Sequence, residues 1–230
     1  MASARSAAAS AERADSQRGR SLAACAEALV CIQLERWQPA LDAAQRALET
    51  SNTPLTFVHA LWVQARAQLG SGQIKPALAV LEHMCTQIEL HDARSLRVLV
   101  TTTLAEAKLQ DGDAIAAQQL AAKIMSDAAT SSNSLMHGMV LRVVGLAELA
   151  LGQLAAAREH MDAARSICER LGARIELART WVCMADIELA HGERLAAVAQ
   201  LRLAQALYRS CDVEEPLMRV SERITQLSGA

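Results

Sequence analysis

Four glycines, Gly72, Gly112, Gly152 and Gly192, recur along this chain at a single constant interval. Leu69, Leu109, Leu149 and Leu189 precede them at one offset, and Ala77, Ala117, Ala157 and Ala197 follow at another. Self-similarity at a fixed period of roughly 20–50 residues marks a chain of stacked supersecondary units, each burying a face its neighbours complete. This constraint outranks local propensity, because it dictates which residues must occupy equivalent places.

In register, each unit reads as two helices. The first ends in Ala65-Arg66-Ala67-Gln68-Leu69, Ala105-Glu106-Ala107-Lys108-Leu109, Gly145-Leu146-Ala147-Glu148-Leu149 and Ala185-Asp186-Ile187-Glu188-Leu189. The column Ala65, Ala105, Gly145, Ala185 is always small, so it is expected where two helix backbones cross closely. The column Gln68, Lys108, Glu148, Glu188 is always polar and is expected to face water. After the glycine, which suits the left-handed residue closing a helix, the second helix carries an apolar stripe at spacings of 4, 3 and 4. It runs Ala77, Leu81, Met84, Ile88, and recurs as Ala117, Ala121, Ile124, Ala128, as Ala157, Met161, Ala164, Cys168, and as Ala197, Leu201, Ala204, Tyr208.

A fifth copy precedes these at a slightly shorter offset: Trp37-Gln38-Pro39-Ala40-Leu41 matches Ile74-Lys75-Pro76-Ala77-Leu78, with Glu35 in the glycine's place. Both prolines then fall in a first helical turn, where no N–H is needed. Turn-forming stretches near 51–54, 91–92, 130–134, 172–173 and 210–212 separate the units. Asp212-Val213-Glu214-Glu215-Pro216 reads as a capping box, followed by an apolar stripe of Leu217, Val220, Ile224 and Leu227. A lone helix with one polar face closes the exposed end of a stack. The expected organisation is a disordered tail at 1–20, five hairpins over 21–210 and a capping helix over 211–230.

The segment Leu69 to Leu78, with its counterparts Leu34 to Leu48, Leu109 to Ile124, Leu149 to Ala164 and Leu189 to Ala204, resembles the tetratricopeptide repeat. The shared elements are the small residue of the first helix, the turn glycine, and the Ala-x-x-x-large-x-x-small stripe of the second. The resemblance implies an all-α, right-handed α-solenoid of about five antiparallel hairpins plus a C-terminal capping helix. The unit is longer than the usual ~34 residues, and most of the motif's aromatic positions hold Leu, Val or Ala. In this it is similar to the long repeats of bacterial signalling regulators, such as the sensor regions of maltose-regulator-type activators and ATPase-linked cyclases and kinases. The run Ala164 to Arg174 carries that likeness.

Composition agrees. Of 230 residues 52% are hydrophobic but only 2% aromatic, an excess of Ala and Leu that favours helices. A net charge of −2 gives no footprint for nucleic acid or an anionic membrane. The most apolar stretch, Met136 to Leu151, is interrupted by Arg142 and Glu148, so no bilayer span is expected. The segment 1–20 contains arginines, but it has no apolar core for a secretory signal, and Glu12 and Asp15 oppose an organelle presequence. The six cysteines lack paired spacing and read as buried, reduced thiols of a cytoplasmic protein. No phosphate loop, nucleophile elbow or zinc-protease motif occurs, and no histidines stand at i, i+4. Asp111-Gly112-Asp113 is a turn rather than a calcium loop, lacking downstream ligands. An enzyme, a metal site and a cofactor are therefore not expected.

By the resemblance, first helices line a concave groove, with inner positions His59, Trp62, Arg66, Leu99, Thr102, Glu106, Met139, Arg142, Leu146, Arg179, Val182 and Asp186. The peptide-contacting set is expected to be His59, Trp62, Arg66, Thr102, Glu106, Met139, Arg142, Arg179 and Asp186, with Trp62 an aromatic anchor beside Arg66. The alternative for the apolar members Trp62, Leu99, Met139 and Val182 is inter-helix packing, which for Leu99 and Val182 fits equally well. The Lys/Asn clamp that some family members use for chaperone carboxylates is not reproduced. The expected function is a non-enzymatic scaffold or adaptor for a protein or peptide, with no nucleic acid or membrane partner. The alternative is the sensor region of a larger signal-responsive regulator, binding a small ligand or an inhibitory protein. Self-association through the first hairpin is expected if Cys31 and Trp37 lie exposed.

Overall fold

The computed structural model describes residues 17–89, 94–130 and 134–229, which fold into helices and turns without a strand among them. They comprise α1 (Gln17–Gln33), α2 (Trp37–Glu49), α3 (Pro54–Gly70), α4 (Ile74–Glu89), α5 (Arg94–Gln110), α6 (Ala114–Thr130), α7 (Ser134–Ala150), α8 (Leu154–Leu171), α9 (Arg174–Ala190), α10 (Arg194–Ser210) and α11 (Glu214–Gly229). The expected tail lies outside the described residues over 1–16, and 17–20 form the first turn of α1. The expected boundary at 91–92, and most of that at 130–134, also lie outside them.

The chain divides into two compact units, Met1–Leu90 and His91–Ala230. The first contains the hairpins α1/α2 and α3/α4. The second contains α5/α6, α7/α8 and α9/α10, with α11 packed on α10. Within the second unit α5 packs on α7 and α7 on α9, whereas α6, α8 and α10 make no comparably extensive contacts with one another. First helices that touch while second helices splay place the first-helix layer on the inner side of that unit's curvature.

The repeat glycines do what their spacing implies. Gly72, Gly112, Gly152 and Gly192 have φ between +75° and +92°. The amide following each, as in Gln73 N–H to the Gln68 carbonyl (2.8 Å) and Glu193 N–H to the Glu188 carbonyl (2.8 Å), closes the helix in a Schellman turn. Glu35 takes the same conformation at φ +56°, and Arg36 N–H reaches the Cys31 carbonyl at 2.9 Å. Without glycine's freedom this costs about 1 kcal/mol. Asp212 corrects one expectation. It is not the cap of α11 but another left-handed turn residue (φ +53°), with Val213 buried between it and the helix.

The apolar stripes of α4, α6, α8 and α10 are buried throughout, from Ala77 and Leu81 to Ala204 and Tyr208. The small column is the crossing within each hairpin: a Cβ on Gly145 would meet the Ala157 carbonyl oxygen and the Met161 methyl at 3.1 Å. Ala65, Ala105 and Ala185 are fully buried at the same place. The polar column corrects another expectation, since Glu148 and Glu188 do not face water but are buried. Glu148 meets His160 Nδ1 at 2.7 Å, and Glu188 meets Arg158 at 2.7 Å and Gln200 at 2.8 Å. A carboxylate in the hairpin interface is tolerated because each has a hydrogen-bonding partner there.

The first hairpin also differs from expectation. Cys31 is buried, and the Trp37 ring is half-buried against Gly70, where an added Cβ would overlap the ring. Neither forms the exposed patch that self-association was expected to use.

Candidate binding surface

In the first unit the residues named from sequence lie on α3. Trp62 is buried rather than presented to solvent. The Arg66 guanidinium carbon lies 5.8 Å from the Trp62 ring centroid, a cation–π contact across one helical turn. Arg66 and His59 are half-buried at this face.

In the second unit the inner layer is built from α5, α7 and α9. Thr102 is buried and its hydroxyl donates to the Val98 carbonyl at 2.6 Å, within its own helix. Met139 belongs to the core cluster of Val98, Ile124, Val140 and Val143. Arg142 is 7% exposed, and its Nη2 lies 2.7 Å from Glu176 Oε2. Trp62 in the first unit, and Thr102, Met139 and Arg142 in the second, are therefore buried within their own units and do not project as contact residues. Leu99 and Leu146 pack into the apolar clusters beneath.

Glu176, absent from the sequence-derived set, organises the charges. Buried in the first turn of α9, it forms an ion pair with Arg142 of α7 through one carboxylate oxygen and accepts from Arg179 (2.6 Å) on the other. Burial acts to lower the Arg142 pKa, but Glu176, with help from Glu106, outweighs it and holds the guanidinium above its ordinary value. Farther along α9, Asp186 pairs with Arg223 of α11 at 2.5 Å. Three acids (Glu106, Glu176, Asp186) thus alternate with three arginines (Arg142, Arg179, Arg223) across four helices. Glu106, Arg179, Asp186 and Arg223 are half-buried and reach the surface.

The Arg179–Glu176 pair was legible as an i, i+3 spacing. The Arg142–Glu176 pair, distant in sequence, depends on how α7 and α9 pack. The thiols here are poor nucleophiles: burial raises Cys183 to about 11 and pushes Cys168 up as well. All six cysteines are free. Among the described residues no group of three or more His, Cys, Asp or Glu side chains is placed to hold a metal, and no helix is long and apolar enough to cross a membrane. His191 Nδ1 approaches the Ile187 carbonyl (3.0 Å) at the end of α9, and Asp113 accepts from the Ala116 amide (3.0 Å) at the start of α6.

No family model matches the chain, and no curated protein matches it. Solved structures do. PlcR of Bacillus thuringiensis, in complex with the peptide PapR7 and DNA, matches with a TM-score of 0.71 at 11% identity, over 87% of this chain and 74% of that one. Aspartyl phosphate phosphatase F of Bacillus subtilis matches at 0.64 with 12% identity, over 90% of this chain and 54% of its own. A putative kinesin light chain of Podosopora anserina with nearly identical TPR-like repeats matches at 0.56 with 20% identity, over 84% and 96%. The likeness is one of fold: the chain has the all-α, tetratricopeptide-repeat-like architecture.

Proposed function

We propose that this chain is a non-enzymatic scaffold or adaptor that holds a peptide or protein segment on the first-helix face of its hairpins. The observation that carries the reading is the charge ladder of the second unit. Buried Glu176 fixes Arg142 and Arg179 in place, and Glu106, Arg179 and Asp186 offer polar contacts above a preordered floor. A surface already ordered loses little side-chain freedom when it binds an extended or helical segment. The peptide-bound state of PlcR, which has this fold, supports the same reading. His59 and Arg66 are the corresponding contacts of the first unit.

The second reading is the sensor region of a larger regulator, answering to a small ligand or an inhibitory protein. It draws on the match to only part of PlcR and of phosphatase F. In either case the test is affinity capture with the double variant Arg179→Glu/Asp186→Arg, compared with wild type by quantitative mass spectrometry while circular dichroism confirms folding. The adaptor reading expects a protein retained by wild type and lost by the variant. Identical captures would overturn the assignment of this face.

A further inference from the structure

Two successive hairpin junctions in the second unit are built on one plan and completed differently. At the junction of α8 with α9/α10, the buried Glu188 receives Arg158 (2.7 Å) from the preceding hairpin and Gln200 (2.8 Å) from its own. At the preceding junction, of α6 with α7/α8, the buried Glu148 receives His160 (2.7 Å), the counterpart of Gln200. The counterpart of Arg158 is Gln118. Its amide turns away to Gln153 at 3.1 Å, so no arginine or lysine of the described residues pairs with Glu148. Where the guanidinium would lie, a cleft of about 490 Å³ opens, walled by Ala122, Met125 and Val144 and bearing Glu148, His160 and Gln118. That is within the range of ligand sites, roughly 300–1,000 Å³.

We infer that this cleft receives an arginine side chain from a partner segment, its guanidinium binding Glu148 as Arg158 binds Glu188 one repeat later. The charge is complementary: the carboxylate is 7% exposed, and a buried carboxylate gains most from a bidentate, charge-assisted donor. The walls suit the occupant's methylene stem, since Met125 and Ala122 stand where the next repeat has Arg165 and Asp162. The site is distinct from the first-helix face. Val144 lies two residues from Arg142, about 160° away around α7.

The probe is Ac-Ala-Arg-Ala-NH2, with the citrulline peptide as its neutral counterpart, titrated into the full chain and followed by the Met125 methyl signal in NMR. A saturable shift is expected for the arginine peptide, weaker by about tenfold or more for citrulline, consistent with the loss of one charge-assisted pair. Glu148→Gln, which can still bond His160, should abolish it. Gln118→Arg should abolish it too while raising the thermal midpoint, because the chain then fills its own cleft. Arg179→Glu should leave the titration unchanged, separating this site from the proposed groove. No saturable shift, equal shifts for both peptides, or a shift indifferent to both cleft variants would overturn the inference.

Discussion

Arg142 stays charged in the protein interior because Glu176 stands 2.7 Å away and itself holds Arg179 on its other oxygen. A buried pair of this kind is weak evidence of net stability, but losing one partner strands the other in a medium that solvates it poorly. Glu176→Gln should therefore cost about 3–5 kcal/mol, whereas Arg179→Gln, acting on a more accessible partner, should cost about 1 kcal/mol or less. Urea unfolding at unchanged m-value would check both. Equal, small losses would mean that the Arg142 guanidinium is hydrated. At this scale the sequence was a partial guide. The family resemblance named Arg142, Arg179 and Asp186, but Glu176 was missed, because nothing in the spacing of two residues as distant as Arg142 and Glu176 shows that α7 and α9 bring them together. The repeat pattern also placed Glu148 and Glu188 in water. Polarity in a column shows that the position is demanding, but not whether solvent or a neighbouring helix meets the demand.

Helix by helix, the correspondence was closer, and the reason is physical. A stripe at spacings of 4, 3 and 4 is buried in whichever hairpin it occurs, and a glycine held at positive φ ends a helix wherever it stands. So the hairpins and the glycine turns within them followed from alignment, and Glu35, aligned with those glycines, shares their left-handed conformation. The start of α11 did not. Asp212 repeats the left-handed turn of Gly172 one repeat earlier, a periodicity the capping-box reading overrode. The closing role of α11 is still testable. It buries Pro216 and Val220, and bonds α10 through Ser221 to Gln205 and through the Leu227 carbonyl to Arg194. It also supplies Arg223 to Asp186. Truncation after Ser210 should lower the thermal midpoint by several degrees and promote concentration-dependent association, as expected of a stack that has lost its polar end. Sedimentation and calorimetry would detect both. An unchanged melt and a monomeric fragment would show that α11 does not cap.

The molecule as a whole combines a periodic apolar framework, readable from sequence, with polar contacts that only packing assigns. The second unit shows the consequence most fully. Its inner layer carries alternating charges fixed from below, and that layer is the surface proposed to hold a partner. The direct test is photo-cross-linking in the full chain, with a photoreactive residue placed at Glu106 or Arg179 on the first-helix face, or at Arg202 or Arg209 on the exposed side of α10, away from the Glu148 cleft. A captured partner should cross-link from positions 106 and 179 and not from 202 or 209. Cross-links confined to 202 and 209 would contradict the account, placing the partner on the outer side of α10.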